Sequence, residues 1–344
     1  MICYAYYRLP HAEQCFKIEQ TEGEPLRLTS LTELNGRQGF VVAPFRVTSA
    51  EPILLLRPDR VTAMPVQQPQ STSVVEETIL FDKGKYTVCF GQTVCLLQEG
   101  IFRKVVLARS ASMKNPHTLT PEELFWRACQ RYPRLFIALV AMPDGSYWLT
   151  ATPEILLEGT GCEWRTIALA GTMQLQGDEL QGEGESVRWS TKNIQEQRYV
   201  ATYIANCLKG FSLDYKEEGP RTVRAANLVH LRSDFTFRLD DSSQVGRLLN
   251  ELHPTPAVCG LPKEATFRHI IEHEQADRQY YSGFMGPLAI NDATHLYVSL
   301  RCMHITDSEY RLYAGGGILK DSVLEQEWQE TEAKMMTMRK IMES

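Results

Sequence analysis

Strand-like and helix-like runs follow one another along this chain without strict alternation. Short apolar runs that read as strands lie at 104–112, 135–142, 147–152, 165–170, 296–303 and 310–314, and helix candidates at 121–131, 191–209, 263–276 and 322–342. A doubly wound parallel sheet requires strand and helix to take turns, so this order disfavours it. It favours a mixed α/β (α+β) layered domain instead. The 344 residues exceed the ~250–300 at which a single core usually stops growing, so two domains or one large layered domain are open. The first hundred residues read as part of that domain or a strand-rich extension of it.

Charge and cysteine usage remove several classes. The net charge is −6 without a basic cluster, so no nucleic-acid partner is expected. The 9 cysteines are odd in number, scattered, and form no C-x-x-C pair, which fits reduced thiols rather than a disulfide or zinc framework. The start, "MICYAYYRLPH", lacks the charged lead and apolar core of a secretory signal. No run approaches the ~18 apolar residues of a membrane helix. A cytoplasmic protein without membrane contact is the expectation. Residues 64–73, "MPVQQPQSTS", read as a flexible loop, and 174–186, "QLQGDELQGEGES", as a mobile surface connection.

Two helix candidates carry carboxylates in odd places. Ser322 followed by Glu325 is a capping-box pattern that predicts a helix start at 322. Along that helix Glu327, Glu330 and Lys334 fall within ~60° of one another. They border an arc of Leu324, Trp328, Met335, Met338 and Met342, while Gln326, Gln329 and Lys340 face away. Taken alone, Glu330 and Lys334 are an i,i+4 pair worth ~0.2–0.5 kcal/mol. In 191–209, however, Glu196 shares the arc of Val200, Tyr203, Ile204 and Cys207, where an unpaired carboxylate is expensive. If the two helices meet, Glu196 and Glu330 offer oxygen ligands suited to Mg²⁺.

The strand candidates add groups of opposite charge. Lys104 opens a run that should be buried on both sides. Burial lowers an amine's pKa, so this lysine is either a general base or a strand-end residue reaching water. Glu154 follows Pro153, which places it at an edge or bulge; with a raised pKa it would serve as a general acid. Tyr297, Ser299 and Arg301 alternate on one face, and Arg301 either clamps a carboxylate or is solvated. "AGGGI" at 314–318 offers amides for an anion nest, or is only a tight turn. "LAGT" at 169–172 is equally weak in isolation. His269 and His273 match no metal motif.

In order from 104 to 334 stand "KVVLAR", "ATPEILL", "LAGT", "STKNIQEQ", "VHLRS", "LHPTPAVCGLP", "DRQYYSGFMG", "SLRC", "AGGGI" and "EWQETEAK". This set resembles the chorismate-utilising enzymes (anthranilate synthase component I-like), most closely the isochorismate synthases. The resemblance implies one large domain of two stacked mixed or antiparallel sheets flanked by helices, with 96–340 as the chorismate-binding part. Residues 1–95 would be a strand-rich part of the same fold. It also implies Mg²⁺ on Glu196 and Glu330 with Glu327 nearby, holding the ring carboxylate of the substrate. Lys334 would line the same anion site. Arg301 and the amides around Gly315 and Gly317 would bind the enolpyruvyl carboxylate. Gly171, Thr172 and His230 would lie near the ring. Relatives that aminate chorismate usually carry Gln at the Lys104 position. A lysine there implies water addition at C2, with Glu154 protonating the departing C4 hydroxyl. The implied activity is that of an isomerase forming isochorismate, with menaquinone biosynthesis preferred over siderophore synthesis as its destination. The alternative is a salicylate synthase, which goes on to eliminate pyruvate. The expected partner is chorismate alone, and the expected state a monomer or homodimer.

Overall fold

A computed structural model describes residues 3–71, 73–75, 79–175, 187–212, 214–225, 228–239, 242–274 and 277–343. The strands are β1 (Cys3–Arg8), β2 (Gln14–Gln20), β3 (Leu26–Leu28), β4 (Gly39–Ala43), β5 (Ile53–Leu56), β6 (Arg60–Pro65), β7 (Lys104–Lys114), β8 (Phe136–Ala141) and β9 (Tyr147–Thr152). Then come β10 (Ile155–Thr160), β11 (Glu163–Gln174), β12 (Tyr215–Ala225), β13 (Leu228–Arg238), β14 (Gly260–Leu261), β15 (Phe284–Leu288), β16 (Ala293–Val298), β17 (Cys302–Ile305) and β18 (Glu309–Ile318). The helices are α1 (Lys83–Gln98), α2 (Pro121–Arg131), α3 (Thr191–Leu208), α4 (Val245–Leu252), α5 (Lys263–His273) and α6 (Leu324–Met342).

Two nine-stranded sheets result. The first runs β14-β7-β18-β17-β9-β8-β1-β2-β6, and the second β12-β13-β11-β10-β16-β15-β4-β5-β3. Every described pairing is antiparallel. The sheets stack on a core that draws Tyr7, Phe136, Trp148 and Tyr313 from the first and Phe40, Ile167, Met285 and Tyr297 from the second. Phe136 and Tyr297 stack across it at 4.3 Å, a contact worth ~0.5–1.5 kcal/mol beyond its burial. Helices α2 and α6 cover the outer face of the first sheet, and α3 and α4 that of the second. Residues before 66 supply three strands to each sheet.

Local rules explain the helices that the sequence announces. Thr120 caps α2 by accepting from Glu123 N–H; Pro121 stands in the first turn, Glu122 and Glu123 lie at its start and Arg131 at its end. The capping box expected at 322 is absent. Helix α6 begins at Leu324 with Val323 as an uncapped N-cap residue, because Ser322 Oγ instead accepts from Leu319 N–H at 3.0 Å. The run 296–303 is not one strand: β16 ends in the second sheet at Val298, and β17 begins in the first at Cys302. The helix expected to reach 276 stops at His273.

Residues 66–71 and 73 are tied down rather than loose. Arg127 Nη2 donates to the carbonyls of Ser71 and Ser73, each at 2.7 Å. Glu123 accepts from Gln70 N–H at 3.1 Å and Ser71 N–H at 3.0 Å. Most of the acidic connection at 174–186 lies outside the described residues. All 9 cysteines are free thiols. Among the described residues no helix is long and apolar enough to cross a membrane.

Candidate active site

The site grows from an edge that the fold leaves uncovered. In β7, Val106 N–H donates to Cys259 O, Val106 O accepts from Arg278, and Ala108 N–H donates to Glu274. All three point away from β18. Antiparallel ladders alternate, so Gly317 and Gly315, the partners of Val106 and Ala108, turn their own amides away from β7. On that side β17 ends its pairing at Tyr313. The glycine run is therefore a strand with a bare edge, not the turn that its sequence suggests. Lys334 Nζ reaches the same edge and donates to Gly315 O at 2.7 Å.

Space is tight at Gly317 and ordinary at Gly316. A Cβ on Gly317 would stand 2.0 Å from Glu196 Oε1, and one on Gly316 would stand 3.4 Å from Glu327 Oε2 and 3.6 Å from Glu330 Oε1. Three carboxylates from two helices thus converge on two glycines. Each carries a lysine. Lys104 Nζ lies 3.0 Å from Glu196 Oε1, Lys192 pairs with Glu327, and Lys334 is 2.7 Å from Glu330. Lys104 is fully buried, and its contact falls outside hydrogen-bonding geometry. Glu327 Oε2 is buried without a partner.

Two crossings of the chain between the sheets supply the next groups. Pro153–Glu154 joins β9 to β10, and Ser299–Arg301 joins β16 to β17. The crossings are bonded to the strands beside them: Val298 N–H donates to Glu154 O and Ala151 N–H to Arg301 O. Arg301 adopts φ +47°, so the alternation that placed it on a face with Tyr297 and Ser299 does not hold. Tyr297 instead bonds Glu158 at 2.5 Å. A bulge in β11 between Ala170 and Thr172 turns Gly171, at φ +74°, toward His230 of β13.

Charge is concentrated in little water. Arg301 Nη2 donates to His230 Nε2 at 2.6 Å, which leaves His230 Nδ1 as the N–H that faces Gly171 O at 3.2 Å. Burial, then the charges of Arg301 and Lys334, hold His230 well below its ordinary pKa, so the ring is neutral. Burial pulls Arg301 down to about 10 and leaves it cationic at neutral pH. Burial pushes Glu154 up to about 8 against the pull of Lys104, Lys334 and Arg301. Burial would also raise Glu196, but Lys104 and Lys192 outweigh it and hold this carboxyl below its usual value. Burial and then the neighbouring Glu330 raise Glu327. Two carboxyls therefore differ sharply within one site: Glu154 keeps its proton at neutral pH and Glu196 does not.

A narrow cavity of about 60 Å³ is lined by Glu154, Gly171, Thr172, Glu196, His230, Arg301, Gly315, Gly317 and Lys334. Lys104 reaches it through Glu196. Glu327 and Glu330 line an adjoining cleft with Thr172 and Lys192. Among the described residues, no three His, Cys, Asp or Glu side chains stand as a ready metal cluster, because the lysines hold the carboxylates. The donor set still fits a hard divalent cation: it offers carboxylate oxygens, one of them buried and unpartnered, over glycines that admit close approach. Sequence reasoning missed Lys192, although it stands i−4 from Glu196 on the same helix face. It also missed Tyr281, whose hydroxyl lies 2.9 Å from where a Gly315 Cβ would be.

The chorismate binding enzyme family matches residues 54–343. Isochorismate synthase EntC of Escherichia coli is 28% identical over 272 residues, covering 78% of this chain and 70% of that protein. A Bacillus anthracis structure assigned as a 2,3-dihydroxybenzoate-specific isochorismate synthase, DhbC, superposes with a TM-score of 0.86 at 24% identity, covering 98% of this chain and 96% of that one. The menaquinone-specific isochorismate synthase MenF of Escherichia coli gives 0.82 at 24% identity, covering 99% and 88%.

Proposed function

This chain belongs to the chorismate binding enzymes, and on that premise we propose that it is an isochorismate synthase, converting chorismate to isochorismate. The observation that carries the reading is a pair of opposed groups: a carboxylic acid in the cavity that keeps its proton at neutral pH, Glu154, and a fully buried lysine behind Glu196, Lys104. Proton donor and proton acceptor are what the exchange of a ring hydroxyl requires. Water adds at C2, giving a proton to Lys104, while the C4 hydroxyl departs as water with the proton of Glu154. The ring double bonds shift between them. Lys104 can accept that proton only as the neutral amine, so its own proton must first pass to solvent as its pairing with Glu196 opens.

Arg301 and the N–H groups of Gly315 and Gly317 bind one carboxylate of the dianion. Neutral His230, fixed by Arg301 and Gly171, lies along the ring with Thr172. Glu196, Glu327 and Glu330 would hold Mg²⁺, which when bound would neutralise the carboxylate cluster and bind the substrate's other carboxylate. Lys334 then stays on the Gly315 side. Menaquinone-specific and 2,3-dihydroxybenzoate-specific relatives share this step, and the menaquinone branch remains the proposed destination. Incubation with chorismate and Mg²⁺, followed by chromatography with mass detection, tests the reading. An isomer of unchanged mass in a fixed ratio with chorismate is expected. Salicylate with an equivalent of pyruvate would replace the proposal with a salicylate synthase.

A further inference from the structure

A second cavity lies beyond the opposite edge of β7, outside the site above. Strand β14 covers that edge as far as Val106, whose N–H donates to Cys259 O. Leu80 covers it again at Ser112 by exchanging both backbone hydrogen bonds, at 2.7 and 3.0 Å. Between these two closures the outward backbone groups belong to Ala108 and Ser110. Glu274 takes the Ala108 N–H at 2.7 Å. The C=O of Ala108 and both the N–H and C=O of Ser110 have no strand neighbour among the described residues. Both residues are half-buried, so these groups face an open cavity.

These groups open into a cavity of about 370 Å³ walled by Phe81, Tyr86, Cys89, Leu107 and Arg109. Two of its lining side chains are nearly buried. Tyr86 and Arg109 are 5% and 6% exposed, and the Tyr86 hydroxyl and Arg109 Nη1 are buried without a partner. The guanidinium lies flat on Trp328, 3.7 Å from the ring centre, and holds Thr331 and Glu332 with its other nitrogens. The gap spans one outward residue, too short for a peptide strand. Its donor–acceptor pair and aromatic walls suit one flat molecule.

We propose that this cavity is a ligand site for a small planar cyclic amide, of the nucleobase or lactam type. Its ring C=O accepts from Ser110 N–H, its ring N–H donates to Ser110 C=O, and its face lies against Tyr86 and Phe81.

Calorimetric titration of the full chain with 2-pyridone, hypoxanthine and N-methyl-2-pyridone tests this. The first two should bind saturably and the N-methyl compound, which lacks the donor, should not. Ser110→Pro removes only an outward N–H, a change that edge positions tolerate, and should weaken binding about tenfold. Cys89→Trp fills the cavity and should abolish binding, which keeps the test open if the proline variant does not fold. Absence of binding by both amides overturns the proposal. So does equal binding of the N-methyl compound, or binding that Cys89→Trp leaves unchanged. None of these outcomes bears on chorismate turnover.

Discussion

Glu154 is where the proposed chemistry is most exposed to test, because its protonation follows from burial. The folded chain holds its proton up to about pH 8, against an ordinary 4.5. Activity should therefore fall as pH rises through about 8, and Glu154→Gln should lose ~10²–10⁴-fold in turnover while remaining folded. Between those two pH values the folded state keeps a proton that the unfolded state has released, so this group makes stability fall with rising pH. Denaturant titrations across that range should show a shallower fall in Glu154→Gln than in the parent; equal slopes would refute the burial argument. Gly317→Ala makes the second residue-scale prediction. Its methyl would overlap Glu196, so Mg²⁺ binding measured by calorimetry should weaken markedly with melting little changed. Unaltered affinity would remove Glu196 from the cation site.

At the scale of elements, the sequence was most readable where one rule acted alone. Helix α2 and strand β9 have their expected limits, since a Thr-Pro cap or a plain apolar run decides each. The helices that carry Glu196, Glu327, Glu330 and Lys334 and the strand that Lys104 opens were legible, but the positions of Glu154 and Arg301 were not. Glu154 and Arg301 sit on crossings between sheets, and no local pattern separates a crossing from the middle of a strand. Helix α1, with Gly84, Gly91 and several β-branched residues, gives no clear helical period, so packing and the Asp82 cap select it. The capping box at Ser322 failed because its hydroxyl closes a preceding turn. Helix α6 offers an element-scale test. Trp328 is 4% exposed and packs against Tyr86, Phe81 and Arg109, and it sets the seat of Glu327, Glu330 and Lys334. Trp328→Ala should cost ~3–5 kcal/mol in denaturant unfolding and weaken Mg²⁺ binding along with it. A loss under ~1 kcal/mol would mean that the helix is seated by its methionines alone.

For the molecule as a whole, the two sheets matter more than any boundary along the chain. Strand β1 pairs with β8 and β4 with β15, so the first 65 residues close edges on both layers. Deleting them would expose β8 and β15 and should leave insoluble protein; a soluble, chorismate-binding remainder would show an independent catalytic unit. The sheets also explain why the site is where it is. Chain crossings, a bare strand edge and two covering helices meet at one place, and each brings a different charge. The central claim is that these charges drive exchange of a ring hydroxyl with water. Its most direct test is turnover of chorismate with Mg²⁺ in water labelled with heavy oxygen. Isochorismate carrying the heavy label in its C2 hydroxyl is expected. Isochorismate formed without label, its hydroxyl carried over from C4, would contradict it.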